Sequence, residues 1–143
     1  MKLVDVNVLV YALDEDAHHH QRSHAWLEAA LGGREAIGFA WVVVLAFLRL
    51  TTSAALAARP LDIEQAGELV GAWLAQAPAV PVEPGRRHLH LLRGLLRETG
   101  SAGNLVNDAH LAALALENDA EIISFDTDFA RFEGVRSSLP PAA

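Results

Sequence analysis

The chain contains no cysteine. That absence excludes a disulfide scaffold, a zinc–thiolate site, an iron–sulfur cluster and a cysteine nucleophile. It is compatible with a reducing compartment. Lysine is nearly absent too: Lys2 stands alone against ten arginines. Aromatic residues make up only 6% of the chain. Positive charge is in deficit, since 11 basic and 18 acidic side chains give 11 − 18 = −7. A protein that coats nucleic acid through bulk positive charge is therefore excluded. Any polyanion would have to be held locally, by an arginine cluster or a metal ion. A long membrane-spanning run is also missing. The apolar stretch Ile37 to Leu48 is twelve residues long, whereas a span needs roughly 20. The N-terminus carries Asp5 inside its apolar stretch and no small-residue cleavage site, so it makes a poor signal peptide. A cytoplasmic protein without a membrane anchor is the expectation.

What is present suits one globular domain over residues 1–143, with about 139–143, around Pro140 and Pro141, as a flexible tail. Hydrophobic residues reach 52% and charged residues 20%, enough to bury a core and the opposite of a disordered composition. Short apolar strands are predicted at Lys2 to Val6, Ala36 to Phe39, Ala79 to Val82, Glu121 to Ser124 and Val135 to Ser138. Between them lie helical segments. Asn7 to Leu13 starts directly after the first strand. His18 to Leu31 has Asp16 as a plausible cap and Gly32-Gly33 as its stop. Trp41 to Leu56 is almost wholly apolar. A helix from Asp62 to Gln76 places Gln65 as in a capping box. Arg86 to Glu98 is amphipathic. A turn at Gly100, Gly103 and Asn104 leads into a helix from Leu105 to Asn118. Strands alternating with helices predict an α/β domain with a mainly parallel central sheet.

Four carboxylates stand where solvating charge is not expected. Asp5 ends an apolar strand, Asp108 begins the helix DAHLAALALEN, and Asp126 and Asp128 follow the strand EIIS. Ligand sites in open parallel sheets form at the carboxyl ends of strands, beside a topological switch point. Asp5 and Asp126 sit at such ends, and Asp108 reaches the same crevice if its helix begins there. Converging carboxylates repel one another, so they take up protons or hold a cation. Oxygen-only ligands favour a hard ion, Mg2+ or Mn2+, which can activate water against a phosphodiester. The plainer alternatives stay open: Asp126 and Asp128 as turn residues, Asp108 as a first-turn residue favoured by the helix dipole. An unpaired acid in an apolar strand is costly, so Asp5 is the hardest to explain away.

The stretch D-V-N-V-L-V-Y-A at Asp5 to Ala12 resembles the opening motif of the PIN domain nucleases. N-D-A-H-L-A-A-L-A at Asn107 to Ala115 resembles their third acidic motif, and S-F-D-T-D-F at Ser124 to Phe129 their closing one. Order and spacing resemble those of the VapC-type toxins of bacterial toxin–antitoxin pairs, over nearly the whole chain. The resemblance implies a PIN-like three-layer fold. It also implies an Mg2+- or Mn2+-dependent endoribonuclease, dimeric with itself and inhibited by a cognate antitoxin. Carried over residue by residue, Asp5 and Asp108 become metal ligands, Asp126 and Asp128 complete the acidic pocket, and Asn7 supports Asp5. One departure stands out. Where the family usually has a glutamate in V-L-x-E-F-x-R, this chain has Ala46, and the segment Trp41 to Leu56 contains no acid. A single ion held by Asp5, Asp108 and Asp126 is therefore the expected arrangement. A non-catalytic PIN-like binding module is the rival reading. Receiver- and haloacid-type phosphotransfer fit less well, lacking a late lysine and an Asp-x-Asp after the first strand.

Basic residues offer secondary candidates. Arg86, His90, Arg93 and Arg97 fall on one stripe of a helix opposite Leu91, Leu92, Leu95 and Leu96. That stripe reads as a phosphate track or an antitoxin-facing surface, or as an ordinary solvated face. Arg49 either snorkels to the surface or pairs with a pocket carboxylate. His18, His19 and His20 point in different directions on a helix and read as surface residues. Trp26, Trp41 and Trp73 read as core or interface residues.

Overall fold

The computed structural model describes residues 1–100 and 102–142. Strands β1 (Lys2–Val4), β2 (Ile37–Ala40), β3 (Ala79–Val82), β4 (Glu121–Ile123) and β5 (Arg136–Ser138) form one sheet in the order β3-β2-β1-β4-β5. Every pairing is parallel. Between the strands run α1 (Val6–Leu13), α2 (His20–Leu31), α3 (Trp41–Thr52), α4 (Ile63–Leu74), α5 (His88–Thr99) and α6 (Val106–Glu117). The α/β class with helices flanking a parallel sheet is the one the alternating pattern predicts.

The sheet is buried at its centre, where β1, β2 and β4 supply Leu3, Val4, Ile37, Phe39, Ile122 and Ile123 to the core. Helices cover them with Val8, Leu9, Phe47, Leu111 and Leu114. Gly38 is required by close packing rather than by its backbone angles. A Cβ there would lie 2.8 Å from Val82 Cγ2 and 3.0 Å from Leu3 Cδ1. Lys2 and Glu121, register partners on β1 and β4, are also an ion pair. That contact, with a second bond from Ser138, holds the Glu121 carboxyl below its usual range.

Several boundaries differ from the sequence reading, each for a local reason. β1 ends at Val4 rather than Val6, because Asp5 caps α1 and its Oδ1 accepts from Val6 N at 2.7 Å. A capped N–H commits the chain to helix one residue later. α2 begins at His20, and Asp16 does not cap it. Asp16 instead pairs with Arg59 on the surface. α3 stops at Thr52, not Leu56. Thr51 and Thr52 donate back to the carbonyls of Phe47 and Leu48 at 2.8 and 2.7 Å, a bonding pattern that competes with helix continuation. The capping box of α4 forms: Gln65 N donates to Asp62 Oδ1 at 2.8 Å and Asp62 N to Gln65 Oε1 at 3.0 Å. α5 begins at His88, so Arg86 lies in the preceding turn and not on the helical stripe. Gly100 ends α5 in the left-handed region, φ 67°, which only glycine adopts freely. Beyond β5, Pro140 is buried and its carbonyl accepts from Arg22 Nε. Ala143, the last residue of the expected tail, lies outside the described residues. Among the described residues no helix is long and apolar enough to cross a membrane.

Candidate active site

The chain builds β1, β2 and β3 outward on one side, then returns to place β4 on the other side of β1. The switch point of the sheet therefore lies between the carboxyl ends of β1 and β4. Asp5 immediately follows β1, and Ser124, Phe125 and Asp126 immediately follow β4. Asp108 joins them from the first turn of α6.

A buried hydroxyl organises this crevice. Ser124 Oγ donates to Asp5 Oδ2 at 2.6 Å and accepts from Asn7 Nδ2 at 3.0 Å and from Asp126 N at 2.9 Å. One donor and two lone pairs are all used. Asn7 Nδ2 also donates to Asp5 Oδ2 at 3.2 Å, and Asn7 Oδ1 accepts from Phe125 N at 3.1 Å. Asn7 thus ties the start of α1 to the end of β4. Asp126 caps the short 3-10 turn Thr127–Arg131, with its Oδ1 accepting from Asp128 N at 2.8 Å.

The carboxylates divide into two groups. Asp108, Asp126 and Asp128 each offer an oxygen within 4.8 Å of the other two. Asp5 stands beside that trio rather than within it. The reason is local: both Asp5 oxygens are held by Val6 N, Asn7 and Ser124 at the helix start. Asp5 is still close enough to act electrostatically on Asp108. Burial, then the negative charges of Asp126, Asp5 and Asp128, push the Asp108 carboxyl up to about 6. Arg131 opposes this shift and lies 3.4 Å from Asp128. Burial also raises the Asp5 carboxyl, against hydrogen bonds from Ser124 and Val6.

This arrangement fits a hard divalent cation. Its donors are all oxygen, and burial together with the charges of its neighbours penalises the ionised Asp108, a penalty that a bound cation would offset. α3 contributes no carboxylate, since Ala46 is half-buried and nothing else on α3 is acidic. Sequence reasoning missed Ser124 and Arg131. For Ser124 the signal was the need of a buried Asp5 for a donor; for Arg131 it was the spacing of three from Asp128.

The basic candidates stay outside the crevice's bonded network. Arg49, Arg86, Arg93 and Arg97 are exposed. Among the described residues Arg49 makes no ion pair, so it snorkels. Trp41 is 48% exposed and Leu45 60%, while Trp73 packs edge-on to Phe47 at 4.9 Å between ring centroids. A second polar cluster, also missed, joins α5 to α6. His88 is buried, and its Nδ1–H donates to Glu117 Oε2 at 2.8 Å. Its Nε2 lies 2.8 Å from His110 Nδ1.

The model of the PIN domain matches residues 2–135. Ribonuclease VapC37 of Mycobacterium tuberculosis is 53% identical over 142 residues, covering 99% of each chain. Ribonuclease VapC33 of the same species is 40% identical over 98% of each. Among solved structures, VapBC2 from Rickettsia felis, bound to a fragment of its promoter DNA, matches with a TM-score of 0.71 at 17% identity, over 96% of this chain and 97% of that one. VapC20 of Mycobacterium tuberculosis, a toxin that cleaves the sarcin–ricin loop, matches with a TM-score of 0.66 at 14% identity, over 95% of this chain and 99% of that one. At such identities the two structures speak for the fold alone. A family model spanning nearly the whole chain, joined to full-length relatives of this similarity, leaves one assignment: the chain belongs to the PIN domain family, in its VapC branch.

Proposed function

We propose that this chain is a divalent-metal-dependent endoribonuclease, the toxin of a toxin–antitoxin pair, working as one nuclease unit over residues 1–143. The observation that carries the reading is the convergence of Asp108, Asp126 and Asp128 within 4.8 Å of one another at the sheet's switch point, with Asp5 beside them. The relatives named as ribonucleases and the toxin–antitoxin complexes of the same fold support it.

In this reading Mg2+ or Mn2+ is held by Asp108 and Asp126, with Asp128 and Asp5 completing the ligand set and its charge. The bound ion would activate water and offset charge on the phosphate. The chain's own residues prepare the site. Asp108, whose carboxyl burial and the neighbouring acids push up to about 6, would offer the cation a carboxylate oxygen above that pH. Ser124 and Asn7 fix the orientation of Asp5. Arg131, paired with Asp128, places a guanidinium at the rim where a phosphate oxygen can be met. Arg49, Arg86, Arg93 and Arg97 are exposed cations available to RNA or to the antitoxin. The exposed Trp41 and Leu45, one helical turn apart on α3, offer an apolar face for a homodimer.

Incubation with structured RNAs such as tRNA, with Mn2+ and then with EDTA, tests the reading. Cleavage that EDTA removes and that Asp108→Asn abolishes is the expected result. Metal binding without any cleavage by the wild-type chain would favour the binding-module alternative that Ala46 raises. With a net charge of −7, the metal-free chain is expected to hold RNA weakly.

A further inference from the structure

A series of ring contacts that no step above uses starts at Phe125, the chain neighbour of Asp126. Phe125 sits between Ser124 and Asp126 in the chain, and its amide is pinned to Asn7 Oδ1. The His19 ring stacks on Phe125 with centroids 4.2 Å apart and planes 16° apart. His18 meets His19 edge-on at 4.8 Å. Tyr11 braces the pair, 5.4 Å from Phe125 and 5.8 Å from His19. The Arg22 guanidinium lies 5.9 Å from the Phe125 ring centre. The series runs outward: Phe125 and His19 are half-buried, and His18 is exposed.

Two features set this cluster apart from ordinary packing. Its outer members are imidazoles, not aliphatic groups. Among the described residues neither His18 nor His19 makes a side-chain hydrogen bond, whereas neighbouring His20 bonds the Tyr11 carbonyl at 2.9 Å. His19 also supplies no side-chain cap to α2. Flat, polar-edged rings that start one residue along the chain from Asp126 and end at exposed His18 suit an unstacked nucleobase, which is recognised by stacking on aromatic, histidine and arginine side chains.

We propose that His19, seated on Phe125 and flanked by His18, is the stacking platform for a base of single-stranded RNA next to the scissile phosphate. This inference rests on the ribonuclease reading. The base takes the place of the exposed His18 ring against His19, and His18 turns outward to make room. Because Phe125 is one residue from Asp126, a stacked base fixes the register of the strand in the crevice. His19 is here a positioning residue and takes no part in proton or bond transfer.

Steady-state cleavage of a short single-stranded RNA cut at one position tests this, using wild type, His19→Ala and His19→Phe. A lost base stack is expected to raise KM about tenfold in His19→Ala, within the range for one base on one ring, with kcat within twofold. His19→Phe should restore KM, and thermal unfolding should report both variants as folded. The decisive arm is a set of RNAs with one abasic site each. Wild type should lose the same factor at one position near the cut, and His19→Ala should lose nothing more there. An unchanged KM in His19→Ala, or abasic losses that multiply with the mutation at every position, would overturn the platform while leaving the nuclease reading intact. A wild-type chain that cleaves no RNA overturns both.

Discussion

Ser124 Oγ donates a 2.6 Å hydrogen bond to Asp5 Oδ2 across 119 residues of chain. The bond joins the carboxyl ends of the two strands that flank the switch point. It also explains how a carboxylate survives at the end of a buried strand. Burial pushes Asp5 toward its protonated form, and Ser124 is the strongest of the bonds that push it back. The same hydroxyl accepts from Asp126 N, so one buried side chain aligns acids from both strands.

Replacing Ser124 with alanine should therefore do two separable things. It leaves half-buried Asp5 and Asn7 without the partner they now share, a loss of about 1–3 kcal/mol, readable by urea unfolding. It should also lower metal affinity or cleavage by roughly 10–100-fold, the usual effect of deleting a residue that orients a ligand. Without the donor the Asp5 carboxyl rises further, so the acid side of the pH–rate profile should move to higher pH. An alanine variant with unchanged profile and activity would show that Asp5 needs no orientation.

Metal should stabilise the fold, and the acids should determine by how much. A ligand that binds only the native state at a hundred times its Kd adds about 2.7 kcal/mol. For a domain of this size that raises Tm by several degrees, at about 2–4 °C per kcal/mol. Asp126→Asn keeps an oxygen to accept from Asp128 N but removes one charge from the trio. Its Tm should respond little to Mn2+. A wild-type Tm that ignores both Mg2+ and Mn2+ would argue that the crevice holds no cation.

Much of this was legible in the sequence, and the unread parts have physical causes. Short apolar runs separated by amphipathic segments fix an α/β sheet almost irrespective of detail. Positions just after strands fix where the acids gather. Boundaries were less visible. Val4, Asp5 and Val6 look like one strand until the Asp5 side chain is seen to accept from Val6 N, and a cap leaves no trace in periodicity. How the acids come together was also hidden. Asp128 is two residues beyond Asp126, and only the 3-10 turn capped by Asp126 brings it back into the cluster. Ser124 read as the end of a strand because a serine there is ordinarily a turn residue. His88 was hidden in a basic segment whose other members, His90, Arg93 and Arg97, are exposed.

That buried histidine carries its own prediction. His88 Nδ1 lies 2.8 Å from Glu117 Oε2 and its Nε2 2.8 Å from His110 Nδ1, so the ring bridges α5 to α6. Glu117 also accepts from Gly85 N at 3.0 Å, pinning the turn before α5. Burial, reinforced by His88, lowers the His110 imidazole. His88→Ala should destabilise the fold by about 1–3 kcal/mol, the cost of stranding buried polar partners. Cleavage per folded molecule should be preserved, because the network lies on the far side of α6 from Asp108 by helical geometry. Urea midpoints and rates normalised to folded fraction check the two halves. A variant as stable as wild type but inactive would place this network in the reaction instead.

The pH dependence follows from Asp108, whose carboxyl is pushed up to about 6 by burial and by Asp126, Asp5 and Asp128. The ordinary value, 3.8, applies to the unfolded chain. Between these values the native state holds a proton that the unfolded state has released. The resulting stabilisation is fully present below about pH 4 and is lost as pH rises through about 6. The metal-free protein should thus weaken across that window through this group. Asp108→Asn should flatten the slope and raise the metal-free Tm at neutral pH, since the amide keeps the shape and removes the repulsion. Metal reverses the sign. A cation competes with the proton, so cleavage should rise with pH along a limb near 6 at low metal, and more metal should move that limb to lower pH. Unfolding curves at pH 4 to 8 without metal, paired with rates at two Mn2+ concentrations, measure both effects. An acid limb that stays fixed as Mn2+ increases would mean that Asp108 is not in competition with the ion.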